Sequence, residues 1–206
     1  VININPSSIL DVGCGDGRLL NSINLNVKKL GVDLSEEAIK FANAFSTGAV
    51  FKVADVANID FDFEVVTLIE VLEHVPDDYI PIFLSNVIGS VKEGGYFIIS
   101  VPSDVVPLTE KHYRHYNSQL LTEQVEVNND LELLTEDWVY RETFFSKIVI
   151  KLLENKYWGI NSSSILHKFW NWHQKNYSLG SPKDGAHIVR VYKKKYMEKS
   201  SGGSFD

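Results

Sequence analysis

Residues 9 to 17 read Ile9-Leu10-Asp11-Val12-Gly13-Cys14-Gly15-Asp16-Gly17, a short apolar run that breaks into three glycines at alternate positions. An apolar run of this length closed by glycine reads as a buried strand entering a turn. Glycine turns the backbone sharply and leaves no Cβ between the main chain and a ligand. The spacing is not the G-x-G-x-x-G dinucleotide fingerprint, so alone the loop marks only a nucleotide-binding turn. Asp33 gives it more weight, lying 20 positions after Gly13 at the end of the next apolar run. In βαβ nucleotide folds a carboxylate at about that offset accepts hydrogen bonds from ribose hydroxyls.

The alternation continues outward. Ser8 to Val12 reads as the first strand, Asp16 to Ile23 as a short helix and Leu30 to Asp33 as the second strand. Ser35 is a helix cap, with Glu36 and Glu37 in the positive first turn of a helix reaching about Phe45. Strands come next at Val50 to Val53, Val65 to Glu70 and Tyr96 to Val101, the last closed by Pro102. Between the latter two, Ile80, Phe83, Leu84, Val87 and Val91 recur at helical spacing, which predicts a helix from Tyr79 to Val91 ended by Glu93-Gly94-Gly95. Strands alternating with helices predict βαβ units around a parallel sheet. The second half is less regular: a helix at Ser118 to Val127, strands at Glu132 to Tyr140 and Ala186 to Tyr192, and an apolar helix at Phe144 to Leu153. Tyr157 to Tyr177 is crowded with aromatics, including Trp158, Phe169, Trp170 and Trp172.

The acidic markers fall in sequence. After Asp33 come Asp55, placed to accept from an adenine amino group with the Val56 N–H beside it, and Glu70 at the end of the fourth strand. Ligands of open α/β sheets gather at carboxyl ends of strands, and each of these positions is predicted to lie there.

Bulk properties bound the partners. The chain has 206 residues, 44% hydrophobic and 23% charged, which fits one globular domain over 1–206 with an aromatic-rich insert at about 143–180. A net charge of −7 argues against a nonspecific nucleic-acid partner while leaving room for a small basic groove. The single cysteine, Cys14, offers neither a disulfide nor a cysteine-based zinc site, and is read as a packed loop residue rather than a nucleophile. No apolar run is long enough to span a bilayer and no signal peptide opens the chain, so a cytoplasmic location is expected. Val1 stands eight residues before Ile9, so either the natural chain begins abruptly or a leading segment has been trimmed.

Taken together, Ile9 to Leu20, Gly31-Val32-Asp33-Leu34-Ser35, Ala54-Asp55-Val56, Val65 to Val75 and Val91 to Pro102 resemble the class I S-adenosylmethionine-dependent methyltransferases. The resemblance covers about the first half of the chain. It implies an α/β Rossmann-like three-layer sandwich, with a seven-stranded, mostly parallel sheet whose last strand is antiparallel, here Ala186 to Tyr192. The cofactor-binding set it implies is Asp11, Gly13, Cys14, Gly15, Asp33, Leu34, Asp55, Val56 and Glu70. Within that set Gly13 and Gly15 face the methionine part, Asp33 the ribose and Asp55 the adenine, with Asp11 orienting the amino end through water.

Glu70-Val71-Leu72-Glu73-His74-Val75 and the later Thr109-Glu110-Lys111-His112-Tyr113-Arg114-His115-Tyr116 are similar to segments of two O-methyltransferase groups. These are the ubiquinone-biosynthesis enzymes and the small-RNA 3′-terminal 2′-O-methyltransferases. The resemblance to them implies a divalent cation (Mg, Mn or Zn) on Glu70, Glu73, His74 and His112. A metal-free reading stays open, with His112 or His115 as the general base, His74 beside His112 among the catalytic candidates, and Glu70 touching only the cofactor. For either base the bland alternative is a loop histidine without chemistry, and for His115 that is the favoured reading. Tyr113, Arg114 and Tyr116 either bind substrate or pin the loop.

The aromatic insert is read as a lid, a docking face for a protein partner or a small core of its own. The leading expectation is methyl transfer to an oxygen, with nitrogen second, of a small molecule or glycan. The rivals are a metal-dependent RNA 2′-O-methyltransferase and a non-catalytic cofactor-binding subunit.

Overall fold

A computed structural model describes residues 4–59, 62–127, 129–141, 167–168, 171–172, 174–175 and 178–196. The strands are β1 (Ser8–Val12), β2 (Lys28–Asp33), β3 (Val50–Val53), β4 (Phe63–Ile69), β5 (Val91–Pro102), β6 (Leu131–Arg141) and β7 (Gly185–Lys194). The helices are α1 (Arg18–Ser22), α2 (Glu36–Phe45), α3 (Ile80–Gly89) and α4 (Ser118–Val125). The seven strands form one sheet in the order β3-β2-β1-β4-β5-β7-β6. β1 to β5 pair in parallel, and β7 runs antiparallel to both of its neighbours, β5 and β6. The expected Rossmann-like sheet with an antiparallel last strand is therefore present.

Both faces of the sheet are covered, which is what continuous apolar strands require. On one face Leu10, Val12, Val66, Leu68, Phe97 and Ile99 pack against Leu84 and Val87 of α3 and Leu121 and Val125 of α4. On the other, Ile9, Phe51 and Val65 pack against Leu20 of α1 and Ile39 and Ala42 of α2. Ser35 caps α2 as expected, its hydroxyl accepting from the Ala38 N–H at 3.2 Å.

β7 is held in place by a buried cation. The Arg190 side chain, 1% exposed, donates to Glu136 of β6 at 2.7 Å, to Thr122 of α4 at 2.9 Å and to the Ser118 carbonyl at 2.7 Å. A guanidinium is tolerated inside a protein only when its donors are satisfied in this way.

One boundary differs from expectation for a local reason. α3 ends at Gly89, and β5 begins at Val91, five residues earlier than the apolar pattern predicts. Glu93-Gly94-Gly95 lies within the strand, where the β4–β5 register shifts and Gly94 takes a φ of 73°. The glycines open a bulge in a strand and do not end a helix. The predicted apolar helix at 144–153 lies outside the described residues, as does most of the aromatic stretch. No helix among the described residues is long and apolar enough to cross a membrane.

The sheet also buries a carboxyl. Asp11, 3% exposed, accepts a 2.6 Å hydrogen bond from the Thr67 hydroxyl of the neighbouring strand. Burial pushes the Asp11 carboxyl up to about 6; the Thr67 hydrogen bond lowers it and the charge of Asp33 adds a smaller rise. The folded state thus holds this proton more tightly than the unfolded chain, where a carboxyl titrates at about 3.9. The stability it contributes is full below about pH 4 and is lost as pH rises through about 6. Asp11→Asn keeps the Thr67 partner without the charge. In urea unfolding it should be the more stable protein at pH 8, by at most about 3 kcal/mol, and should converge with wild type near pH 4. Identical stability at pH 8 contradicts a buried, strained charge at Asp11.

Candidate active site

A cavity of about 370 Å³ opens at the carboxyl ends of β1, β2 and β4, with Val12, Gly13, Asp33, Leu34, Asp55 and Glu70 in its wall. The strand order reverses direction here, β2 and β3 lying to one side of β1 and β4 and β5 to the other. Such a crevice is where open α/β sheets bind ligands.

The glycine loop meets the cavity at Gly13. Gly13 has a φ of 71°, and a Cβ there would strike the Val71 side chain. The N–H groups of Gly13 and Cys14 both donate to the Val32 carbonyl, at 2.8 and 3.0 Å, fastening the loop to the end of β2. Asp33 completes the fastening: one carboxylate oxygen accepts from Gly15 N–H at 2.9 Å and the other from Ser35 N–H at 2.8 Å. Each oxygen keeps a further lone pair for a ligand hydroxyl. Asp55 caps a short 3-10 turn, accepting from Ala57 N–H at 2.9 Å. Leu34, 73% exposed, offers the cavity an unburied apolar face.

Asp11, Cys14 and Gly15 do not line the cavity. Cys14 packs with Leu20, Ile39 and Phe51 beneath the sheet, and burial, with the charges of Asp11 and Asp33, pushes its thiol up to about 12. A thiol held that high keeps its proton near neutral pH.

At the other end of the cavity the chain leaves β4 through Glu70, whose φ of 55° is unusual for a side chain larger than glycine. Glu70 accepts from the Ser100 hydroxyl at 2.7 Å and from Nδ1 of His187 at 2.9 Å. Burial would raise its carboxyl; the His187 and Ser100 hydrogen bonds outweigh it and hold Glu70 below the usual carboxylate range. Glu73, one 3-10 turn on, has no such help. Its side chain is 1% exposed and its Oε2 has no hydrogen-bond partner. Burial pushes its carboxyl up to about 7; a backbone hydrogen bond lowers it and the Glu70 charge raises it further.

Ligand atoms of Glu73, His74 and His112 lie within 4.8 Å of one another. The structure therefore brings together three of the four donors expected for a cation. Glu70 stands outside the group, both of its oxygens engaged by Ser100 and His187. The rings of His74 and His112 meet edge to face with centroids 4.7 Å apart. His74 contacts the Lys111 carbonyl through Nδ1 at 3.0 Å. A carbonyl only accepts, so the neutral His74 ring carries its proton on Nδ1 and its lone pair on Nε2. For His112, burial and the neighbouring His74 and His115 hold the ring below its usual value.

Arg114 holds the two segments together. It donates to the carbonyls of Leu72 and Val75 at 3.0 and 2.7 Å and pairs with Asp77 at 2.8 Å. Tyr113 N–H adds a bond to the Glu73 carbonyl at 2.9 Å. Of the two roles open to Arg114 in the sequence, the structure shows loop pinning. Sequence reasoning misses Ser100 and His187, which reach Glu70 from β5 and β7, and misses Tyr79 and Phe83 in the cavity wall. Phe83 carries a signal, but its helical spacing reads as core.

The sequence model of the methyltransferase domain family matches residues 2–152. The chain is 34% identical over 105 residues to the ubiquinone biosynthesis O-methyltransferase of Thiobacillus denitrificans, covering 45% of this chain and 43% of that protein. It is 32% identical over 128 residues to the enzyme of the same name from Hydrogenovibrio crunogenus, covering 58% and 48%. The chain thus spans less than half the length of these relatives. A solved S-adenosylmethionine-dependent methyltransferase from Archaeoglobus fulgidus shares the fold, with a TM-score of 0.62 at 16% identity over 91% of this chain and 86% of that one. On the extent of the family match and the shared sheet, the chain belongs to the class I S-adenosylmethionine-dependent methyltransferases.

Proposed function

We propose that the chain moves the sulfonium methyl group of S-adenosylmethionine to a hydroxyl oxygen of a small molecule. The observation that carries this is the convergence of Glu73 and His112 on His74, which lines the same cavity as Asp33 and Asp55. The cavity is within the size range of small-molecule and cofactor sites, roughly 300–1,000 Å³. With ribose hydroxyls on Asp33 and the adenine between Asp55 and Leu34, the methionine end runs along the glycine loop toward Glu70. The methyl group then faces the histidines. The relatives named as O-methyltransferases support oxygen as the acceptor.

In the transfer the acceptor oxygen attacks the methyl carbon in line with the carbon–sulfur bond. That bond's electron pair passes to sulfur, converting the sulfonium to a thioether, and the hydroxyl proton passes to Nε2 of His112. Burial keeps His112 largely neutral near pH 7, so the lone pair is present when needed. The chain's main work is orientation of donor and nucleophile, which supplies most of the acceleration in such a displacement.

The same three side chains fit a divalent cation. The buried, unpartnered Oε2 of Glu73 and two neighbouring imidazoles form a mixed oxygen and nitrogen donor set, which leans toward manganese or zinc over magnesium. Glu73, His74 and His112 would hold it, leaving positions open for an acceptor oxygen. When bound, such an ion lowers the pKa of the hydroxyl it touches.

Two measurements test this reading. In calorimetry with S-adenosylhomocysteine, Asp33→Ala should weaken binding roughly 10- to 100-fold, the worth of a hydrogen bond to a charged group; unchanged affinity contradicts the donor assignment. Labelled methyl transfer should be assayed on a panel of hydroxylated small molecules, glycans and short RNA ends, with and without chelator. His112→Ala should lower turnover by about 10²- to 10⁴-fold on a small-molecule acceptor. If chelation and His112→Ala both leave the rate intact, the acceptor site is not at these residues.

A further inference from the structure

We propose that His115 is a positioning residue, which fixes His112 in the tautomer that keeps a lone pair on Nε2. This rests on the reading of His112 as the group facing the acceptor, and it applies to either role, proton acceptor or metal ligand.

Each atom in the line is limited in what it is able to donate. Nδ1 of His115 lies 2.9 Å from the Val106 carbonyl, which only accepts, so His115 carries a proton on Nδ1. In the neutral ring the other nitrogen, Nε2, is then an acceptor. That Nε2 lies 2.7 Å from Nδ1 of His112. Two lone pairs at this distance would repel, so Nδ1 of His112 carries a proton and donates it to His115. The lone pair of His112 is thereby placed on Nε2. An unrestrained histidine side chain favours the opposite tautomer, so the relay has an effect to exert.

The residues on both sides of His115 are fastened to the fold. On one side Arg114 is fastened to Leu72, Val75 and Asp77. On the other Tyr116 is fully buried and exchanges main-chain hydrogen bonds with the end of β5, donating to Pro102 and accepting from Asp104, each at 2.9 Å. Val106, the anchor of the relay, is set by the same turn, its N–H donating to the Ser103 carbonyl at 3.1 Å. The Ser103 hydroxyl in turn donates to Gly185 of β7. The line Val106, His115, His112 therefore starts from the sheet itself. Outer partners of this kind orient a working imidazole as much as its direct contacts do.

The test uses the whole chain labelled with ¹⁵N-histidine. Two-bond ¹H–¹⁵N correlation spectra, recorded above the histidine titration range, report which ring nitrogen carries the proton; His112 and His115 are assigned by loss of their signals in substituted chains. In the wild type both should be protonated on Nδ1. His115→Ala should move His112 toward the Nε2–H form and lower kcat for methyl transfer by roughly 10- to 100-fold with KM little changed. His115→Gln should preserve the His112 tautomer and recover most of the activity, because its amide oxygen accepts from His112 while its NH2 group donates to Val106. The inference is overturned if His112 carries its proton on Nε2 in the wild type, or if its tautomer is the same in His115→Ala. Should the tautomers behave as expected while no acceptor is ever methylated, the functional reading fails and the relay stands.

Discussion

The site is organised around the carboxylate of Asp33. Its two oxygens hold the N–H groups of Gly15 and Ser35, joining the loop after β1 to the turn that starts α2. Charge-assisted bonds to backbone N–H groups are among the stronger hydrogen bonds a protein makes. This pair adds to the bonds from Gly13 and Cys14 to the Val32 carbonyl and ties the glycine-rich loop to the exposed turn before α2. Once they are fixed, Gly13, Asp33 and Leu34 stand in one wall of the cavity. The opposite wall, from Val71 to Phe83, then comes close enough that only glycine fits at position 13.

The end of β4 carries a contrast between two carboxyls. Glu70 receives two hydrogen bonds and stays ionised at neutral pH; Glu73 is buried beside it with an oxygen unpartnered and titrates near 7. Environments that drive neighbouring carboxyls apart in this way assign them different tasks. Glu70 ties β4 to β5 and β7 through Ser100 and His187, whereas Glu73 is left for whatever enters between the two histidines. Arg190 secures the far side, because β7 carries both that buried cation and His187.

The cavity residues Asp33 and Asp55 are legible in the sequence because they are local to strand ends. Asp33 and Asp55 each come after a short apolar run, and the glycine loop announces itself by composition. The clustering of Glu73, His74 and His112 is legible too, through resemblance to known motifs. Glu70 is harder: its partners His187 and Ser100 lie 117 and 30 positions away in the chain, and no periodicity signals a contact of that range. The bulge at Gly94 is hidden for a related reason, since Glu93-Gly94-Gly95 has the composition of a helix stop and only the register of β4 makes it part of a strand. His115 reads as a loop histidine because its partner is a backbone carbonyl, which the sequence does not display.

We propose that the cavity between Asp33 and His74 orients the methyl donor toward the residues grouped with His74. A crystal structure of the chain with S-adenosylhomocysteine tests it most directly. The expected result has ribose hydroxyls on the Asp33 carboxylate, adenine against Leu34 and Asp55, and the sulfur at the Glu70 end, facing His74 and His112. A ligand bound with its sulfur turned away from His112, or seated outside this cavity, would contradict it.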